Sequence, residues 1–420
     1  MNKKKRLFLL DFACILPFGH NAPAINYFKK FFSNQFDEVI SIVCKDLPEE
    51  VDIIDNQSRQ LPYLYSRKMV KGFIDPTFSL SGFLNSSSSV PLRKIRKKIF
   101  DATHFDFFEG YAVKSYLDIF LKYRITSSDH FFFHSVSYYE AVGLLLFLKN
   151  VPLKYWPNVH MRFIGVFEFS NINNTGKSRL YRLIKEHYRK EKLSDIQKLF
   201  LSAEVPIYAQ KLSTDLAVRV QTTFYPPLDS SLISKSLKRS DVFTIICPGA
   251  GRGDKGFFEL RDILYKFYLY YPSEKVRLIV QTIDEQRASQ PEINYICQLA
   301  AIPYVEILEH KISEKQMMDI YAKADLVLLP YSVETYKYRG SAVLQESISF
   351  EKPVLSYDGT GFSDLIKVYE NGILCQDMEE LVHQIYCIKN NKDVSIKNLG
   401  LVKKEYIADF SEIYSKLWSK

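Results

Sequence analysis

Residues 244–260 read TIICPGAGRGDKGFFEL, and this stretch decides the fold of the second half of the chain. The β-branched residues at its start indicate a buried strand, the glycines indicate a tight turn, and the apolar residues that follow indicate an amphipathic helix. This order of elements opens the parallel α/β domains that bind phosphorylated ligands. We therefore predict that a Rossmann-like domain begins here.

Three interpretations of the turn are open. Residues 251–256 fit the GxGxxG spacing of a dinucleotide site, but the acidic residue wanted about 20 positions later is met only at Asp284, 28 positions after Gly256. In the second interpretation, Arg252 and Lys255 surround a diphosphate together with the N–H groups of a helix that starts near Gly256. In the third, the turn is simply tight and its charges are solvated.

Strand-like and helix-like segments alternate along the whole chain, which is typical of parallel sheets covered by helices. The predicted strands are Leu7–Asp11, Glu38–Val43, His130–His134, Arg162–Phe167, Val242–Cys247, Arg277–Gln281, Val305–Leu308, Leu326–Pro330 and Pro353–Ser356. The predicted helices are Ala24–Ser33, Tyr138–Leu148, Phe257–Tyr270, Glu314–Ala324, Ala342–Ser349 and Glu405–Lys420. The fold class is therefore α/β, with two Rossmann-like doubly wound domains that face a cleft at the carboxyl ends of their strands.

Pro226-Pro227 and the polar residues after them interrupt this alternation. We predict a first domain over 1–227, a linker over 228–240, a second domain over 241–403 and a terminal helix over 404–420.

The net charge of +8 is unevenly distributed over the 420 residues. Residues 1–240 hold 35 basic and 22 acidic residues (+13), whereas residues 241–420 hold 21 and 26 (−5). The basic half carries clusters at Lys3–Arg6 and Arg93–Lys98, which indicate an anionic partner such as a membrane surface.

The longest strongly apolar run, Ala141–Leu148, is too short to span a bilayer. The six cysteines lack CxxC spacing, so we expect neither a zinc site nor a disulfide framework.

A second candidate site follows the predicted strand Leu326–Pro330. Glu346 lies in a helix of small and apolar residues, where a carboxylate needs a partner such as the hydroxyls of a ribose. The N–H groups of Ser341, Ala342 and Val343 at the start of that helix suit a phosphate.

Three segments of the second half resemble the retaining GT-B glycosyltransferases of family 4 (glycosyl transferases group 1). They are Pro248–Gly256 (PGAGRGDKG), Ile312–Tyr331 (ISEKQMMDIYAKADLVLLPY) and Ser341–Ser356 (SAVLQESISFEKPVLS). The resemblance implies a GT-B fold in which the first domain binds the acceptor, the second binds a nucleotide-sugar, and the C-terminal helix crosses back to the first domain.

The resemblance also implies roles for individual residues. Arg252 and Lys255 would hold the donor diphosphate and act in catalysis together with His134, while Glu346 would bind the ribose. The implied donor-binding set is Gly19, Gly251, Gly253, Ile307, Tyr338, Arg339, Ser341, Ala342, Val343 and Glu346. The implied acceptor contacts are His20 and Glu168. In one respect the chain departs from the family: the first acid of the family's Glu-x7-Glu pair would be residue 338, which is a tyrosine.

These features predict a cytoplasmic, membrane-peripheral hexosyltransferase of cell-surface polysaccharide synthesis. We expect a UDP- or GDP-linked donor, a glycan or lipid-linked saccharide acceptor, retention of configuration, no nucleic-acid partner, no further cofactor and no metal. The alternatives are a nucleotide-sugar epimerase, an NAD-dependent oxidoreductase, and a non-catalytic protein that binds a sugar nucleotide or a glycan.

Overall fold

The structure is a computed structural model that describes residues 4–15, 21–49, 51, 59–62, 68–70, 73–75, 107–165, 174–228, 242–284, 288–392 and 394–418. The chain forms two compact units. The first comprises Met1–Thr223 together with Tyr414–Lys420, and the second comprises Phe224–Ile413.

The first unit contains a parallel seven-stranded sheet. Its strands are β1 (Arg6–Asp11), β2 (Glu38–Cys44), β3 (Arg59–Leu61), β6 (His130–Phe133), β7 (Asn158–Phe163), β8 (Leu199–Ala203) and β9 (Val220–Thr222), while β4 (Lys68–Val70) and β5 (Phe73–Asp75) form a separate antiparallel pair. The helices are α1 (Asn21–Phe32), α2 (Phe107–Tyr123), α3 (Tyr138–Lys149), α4 (Asn174–Ser194) and α5 (Pro206–Leu216). The strands are arranged in the order β3-β2-β1-β6-β7-β8-β9, so the chain moves outward in opposite directions from β1 and from β6. The topological switch point therefore lies between the carboxyl ends of β1 and β6.

The second unit repeats this plan with six parallel strands. They are β10 (Phe243–Cys247), β11 (Val276–Gln281), β12 (Val305–Leu308), β13 (Leu326–Leu329), β14 (Val354–Tyr357) and β15 (Gly372–Cys375). The helices are α6 (Leu260–Tyr270), α7 (Gln290–Ala300), α8 (Glu314–Lys323), α9 (Val333–Tyr336), α10 (Ala342–Ser349), α11 (Ser363–Tyr369), α12 (Met378–Lys389) and α13 (Leu399–Ser415). The order β12-β11-β10-β13-β14-β15 places the switch point between β10 and β13.

The C-terminal segment returns to the first unit, as predicted. The ring of Tyr414 packs 5.1 Å from that of Phe28, and the ring of Trp418 packs 5.5 Å from that of Phe36. The predicted α/β fold with two doubly wound domains and a crossing C-terminal helix is thus confirmed.

One predicted strand is wrong in its position. We expected Arg162–Phe167, but β7 covers Asn158–Phe163, and Phe167 lies outside the described residues. The start of the strand was missed because His160 has a polar side chain, although both His160 and Arg162 are buried with partners inside the unit. His160 Nε2 lies 2.8 Å from Ser202 Oγ, and Arg162 donates to the backbone oxygen of His134 at 2.9 Å.

Candidate functional site

The glycine-rich turn follows β10 at the switch point of the second sheet. The neighbouring strand β13 leads at the same edge into residues 330–341 and then into α10. Ligands of open α/β sheets bind at such an edge. A small pocket opens there, with walls that include Cys247, Gly249, Lys255 and Tyr331.

The backbone of the turn is fastened to the ends of the neighbouring strands. Gly249, with a φ of +91°, donates its N–H to Gln281 Oε1 at 2.6 Å, and Gly251 donates to the backbone oxygen of Thr282 at 3.0 Å. Gly256 has a φ of +73°, and a Cβ there would lie 2.0 Å from the oxygen of Pro330. A side chain at 256 would therefore push β10 and β13 apart at the site.

The helix after the turn starts later than we predicted. Residues Gly253–Lys255 and Phe257–Glu259 form short 3₁₀ turns, and the α-helix begins at Leu260 rather than near Gly256. The N–H groups of Lys255 and Phe257 both bond to the oxygen of Arg252, at 3.0 and 3.2 Å. These two N–H groups are therefore hydrogen-bonded within the turn. The expected affinity for anions comes from the side chains of the turn instead.

Arg252 lies at the rim of the turn with its side chain 46% exposed. Its guanidinium donates two hydrogen bonds of 2.9 Å to Asp254 and one of 2.8 Å to the hydroxyl of Tyr336. Arg339 approaches the same carboxylate, with Nη1 3.5 Å from Asp254 Oδ2, and its guanidinium covers the ring of Tyr336. Asp254 thus holds two arginines close together at the edge of the sheet.

Lys255 lies deeper in the site than Arg252. Its Nζ is 5.6 Å from the ring centre of Tyr331, and a Cβ on Gly249 would approach that Nζ to 2.7 Å. Burial, and then the neighbouring Arg252, lowers the pKa of Lys255 to about 8. An anion bound here would favour the charged ammonium form.

Glu346 is buried on α10, which begins at Ala342 with Ser341 as its cap. Tyr321 donates a hydrogen bond of 2.8 Å to Glu346 Oε2, and the ring of Tyr321 stacks on Phe350. Burial raises the pKa of Glu346 to about 7, although Tyr321 and Lys255 act in the opposite direction. Ser341 caps α10 by accepting a bond from the N–H of Leu344 at 3.3 Å.

The other donor-side candidates occupy more exposed positions. Tyr338, at the position of the family's first acid, is half-buried, with Lys337 Nζ 5.6 Å from its ring. Ile307 is half-buried in β12, on the far side of β11 from the glycine-rich turn. Of Tyr338 and Arg339, both members of the implied donor-binding set, Arg339 is the one that contacts the cluster of Arg252, Asp254 and Tyr336.

His134 lies in the first unit, just after β6 at that unit's switch point. Its Nε2 is 2.8 Å from Oδ2 of Asp11, the last residue of β1, and both side chains are buried. Asp11 also accepts the N–H of Ala13 at 2.7 Å. Gly19, His20 and Glu168 lie outside the described residues, as does the basic cluster Arg93–Lys98.

Glu140 completes this buried polar cluster. Its carboxylate accepts the N–H of Phe12 at 2.9 Å and that of Ser137, which joins the end of β1 to the start of α3. Burial, followed by the charge of Asp11, raises the pKa of Glu140 to about 8. Neither Asp11 nor Glu140 was predicted to be part of a site, and in the second unit Asp254 and Tyr336 were not predicted either.

A signal for these residues was present in the sequence. Asp11 interrupts the apolar run at 7–12, and a carboxylate in a buried strand demands a partner. Asp254 lies between the two cations of the turn. In the described ranges, no group of three or more histidine, cysteine, aspartate or glutamate side chains is placed to hold a metal ion.

Comparison with known proteins gives one family match and several solved structures of the same fold. Residues 287–398 match the family model described as "Glycosyl transferases group 1". No curated protein sequence matches the chain significantly.

Three solved structures illustrate the similarity of fold. Sucrose-phosphate synthase from Thermosynechococcus elongatus has a TM-score of 0.62 at 13% identity, with 98% of this chain and 96% of that chain covered. A glycosyltransferase from Rickettsia africae ESF-5 has a TM-score of 0.59 at 14% identity, with both chains covered completely. A structure described as "Trehalose-6-phosphate from E. coli bound with UDP-2-fluoro glucose" has a TM-score of 0.59 at 14% identity, with 99% of each chain covered.

The family match favours a transferase over the epimerase and the oxidoreductase that the sequence had left open. Together with the fold, it confirms the predicted resemblance: the chain has the GT-B fold, and residues 287–398 of its second unit match the glycosyl transferases group 1 model.

Proposed function

We propose that the second unit binds a nucleotide-diphospho-sugar, with its diphosphate at the glycine-rich turn. The observation that carries this proposal is that Arg252 and Arg339 converge on the carboxylate of Asp254, with the buried Lys255 close enough to Arg252 for their charges to interact. Three cations against the two acids Asp254 and Glu346 leave an excess of positive charge at the sheet edge where ligands of this fold class bind. A diphosphate supplies the missing negative charge.

Lys255 and Glu346, both buried, fit two parts of such a donor, the diphosphate and the ribose. Lys255 lies near the turn and would become fully charged beside a phosphate. Glu346, held by Tyr321, offers carboxylate oxygens that accept bonds from ribose hydroxyls. The relative bound to UDP-2-fluoro glucose supports a UDP-linked donor, and a GDP-linked donor fits the same groups.

The chemistry that we propose is transfer with retention of configuration. The bond from the anomeric carbon to the diphosphate breaks as the acceptor oxygen attacks from the same face of the sugar, and the leaving diphosphate takes the acceptor's proton. Negative charge grows on the diphosphate in this step, so fixed cations at Arg252 and Lys255 lower the barrier. We propose that no metal ion is required, and activity that persists in excess chelator would support this.

For the acceptor we propose a glycan or a lipid-linked saccharide, used at the inner face of the plasma membrane in cell-surface polysaccharide synthesis. The basic composition of residues 1–240 supports this assignment. One residue of the basic cluster Lys3–Arg6 has partners within the first unit: Arg6 bonds to Asp129 at 2.8 Å and to the backbone oxygen of Tyr123 at 3.0 Å. Arg6 is therefore a structural residue rather than part of a surface cluster.

A thermal-shift panel of free nucleotides, nucleotide-sugars and NAD tests the proposal directly, because a ligand that binds the native state raises its melting temperature. We expect UDP or GDP and one cognate nucleotide-sugar to stabilise the protein and NAD to have no effect. Hydrolysis of that nucleotide-sugar without acceptor, however slow, would exclude the non-catalytic alternative. Stabilisation by NAD alone would refute the donor assignment.

A further inference from the structure

The outer face of α4 gathers basic side chains into one stripe. Arg182, Lys185 and Arg189 are exposed and follow the i, i+3, i+7 spacing of a single helix face, with Lys190 and Lys192 exposed at its margins. The opposite face packs into the first unit through Leu180, Leu183, Ile184 and His187. Helix α4 is thus anchored on one side and strongly cationic on the other.

The acidic residues of α4 do not neutralise this stripe. Glu186 is shared between Arg182, at 3.9 Å, and Lys149, at 3.4 Å. Glu191 is turned inward and accepts the N–H groups of Lys198 and Leu199 at 2.9 and 2.6 Å. The exposed Asp195 comes only after the end of the helix.

Apolar side chains accompany these cations. Leu193, on the same helix face, is 83% exposed, and Ile196 follows at 38%. The exposed ring of Tyr155 lies in the 3₁₀ turn Leu153–Tyr155, and the next residue, Trp156, packs against His187 of α4 with 4.8 Å between ring centres. An exposed leucine within a row of cations suits a boundary between lipid headgroups and acyl chains.

We propose that the exposed face of α4 is a docking surface for anionic lipid headgroups. The stripe from Arg182 to Leu193 is about 17 Å long at 1.5 Å per residue, so it would lie flat on a bilayer. A membrane fits this face better than a nucleic acid, because a phosphate backbone would bind the cations but leave Leu193 exposed to water. The proposal rests on the proposed function only in that a lipid-linked acceptor would be reached from this surface.

Co-sedimentation of the full chain with vesicles tests the surface. We expect binding to phosphatidylcholine vesicles that contain about 30% phosphatidylserine, and little binding to pure phosphatidylcholine. The triple variant Arg182→Gln/Lys185→Gln/Arg189→Gln should bind on the order of 100-fold more weakly, because each cation near an anionic surface contributes about fivefold. Lys30→Gln/Lys45→Gln/Arg219→Gln is the matched control, since it removes three exposed cations elsewhere in the first unit and should retain binding.

Leu193→Ala separates a membrane from a nucleic acid. It should weaken vesicle binding about tenfold through the loss of apolar contact and leave binding to a short DNA duplex unchanged. Equal vesicle binding by the two triple variants, or tighter binding to the duplex than to anionic vesicles, would overturn the proposal. Nucleotide-induced thermal shifts of the same variants report on the donor site separately, so loss of either property is distinguishable from loss of the other.

Discussion

The two switch points of this chain carry polar clusters of opposite character. In the first unit, Asp11, His134 and Glu140 are buried; His134 Nε2 bonds to Asp11, and the carboxylates of Asp11 and Glu140 accept nearby backbone N–H groups. In the second unit, Arg252 and Arg339 share one carboxylate at a partly exposed rim. A buried cluster whose partners lie within the same unit stabilises a local geometry. A rim with surplus cations is suited to receive an anion.

The comparison predicts that the largest functional loss comes from the second cluster. Lys255→Ala should lower kcat at saturating donor by about 100- to 1,000-fold, because a fixed cation at a developing charge is worth that much in a preorganised site. Steady-state rates of sugar transfer measure the effect. Lys275→Ala, an exposed lysine of the same unit, is the control and should leave kcat unchanged. Unchanged turnover in Lys255→Ala would remove the proposed role of the turn.

Substitutions in the first cluster, Asp11, His134 and Glu140, should instead lower the stability of the first unit. Asp11→Ala leaves the buried His134 Nε2 and the N–H of Ala13 without their acceptor, which should lower the free energy of unfolding by about 3 kcal/mol. Both tryptophans of the chain, Trp156 and Trp418, belong to the first unit, so urea unfolding followed by their fluorescence reports on this unit.

The control for Asp11→Ala is the exposed pair of Lys114 and Asp118 on α2, 2.6 Å apart. Asp118→Ala should cost less than about 0.5 kcal/mol, as exposed pairs of this spacing do. Equal losses for the two aspartates would mean that the buried cluster does not stabilise the first unit as its geometry indicates.

The two clusters also differ in how far the sequence could predict them. The cations and the helix of the second could be found because they lie on a short glycine-rich turn and at one helix start, where local spacing indicates phosphate binding, whereas Asp254 and Tyr336 could not. The first could not, because Asp11 and His134 are 123 positions apart and meet only once β1 and β6 pair. The prediction of β7 was displaced for a related reason, since the buried His160 resembles a loop residue until its partner is known. The late start of α6 was missed because GDKGFFE has the composition of a helix entry but folds as two 3₁₀ turns.

Titration of Lys255 gives a sharper test of the second cluster. Its lowered pKa of about 8 means that the ammonium is charged below pH 8 and loses its proton above it. Affinity for a nucleoside diphosphate should therefore fall as pH rises above 8, approaching about tenfold per pH unit. Calorimetric titrations between pH 7 and 9.5 measure this dependence.

Lys255→Arg is the matched variant for this titration, because a guanidinium keeps its charge over the whole range. The difference between the two pH profiles cancels the titration of the nucleotide itself. Parallel profiles for the two proteins would show that another group governs the pH dependence, and would contradict the burial of a titrating lysine at the diphosphate site.

The smallest expected effect concerns the carboxylate that holds the two arginines. Asp254 occupies Arg252 through two bonds of 2.9 Å, so an incoming diphosphate must compete with it for the same guanidinium. Asp254→Asn keeps the shape of the side chain and removes this competing charge, which should tighten pyrophosphate binding by at most about fivefold, since the pair is partly exposed and screened. Calorimetry with pyrophosphate at low and high salt measures the change, and Asp262→Asn, beside the exposed Arg261 on α6, is the control. Weaker binding in Asp254→Asn would assign the carboxylate the opposite role: it would then position the arginines for the ligand, and the second cluster would be built on the same preorganised plan as the first.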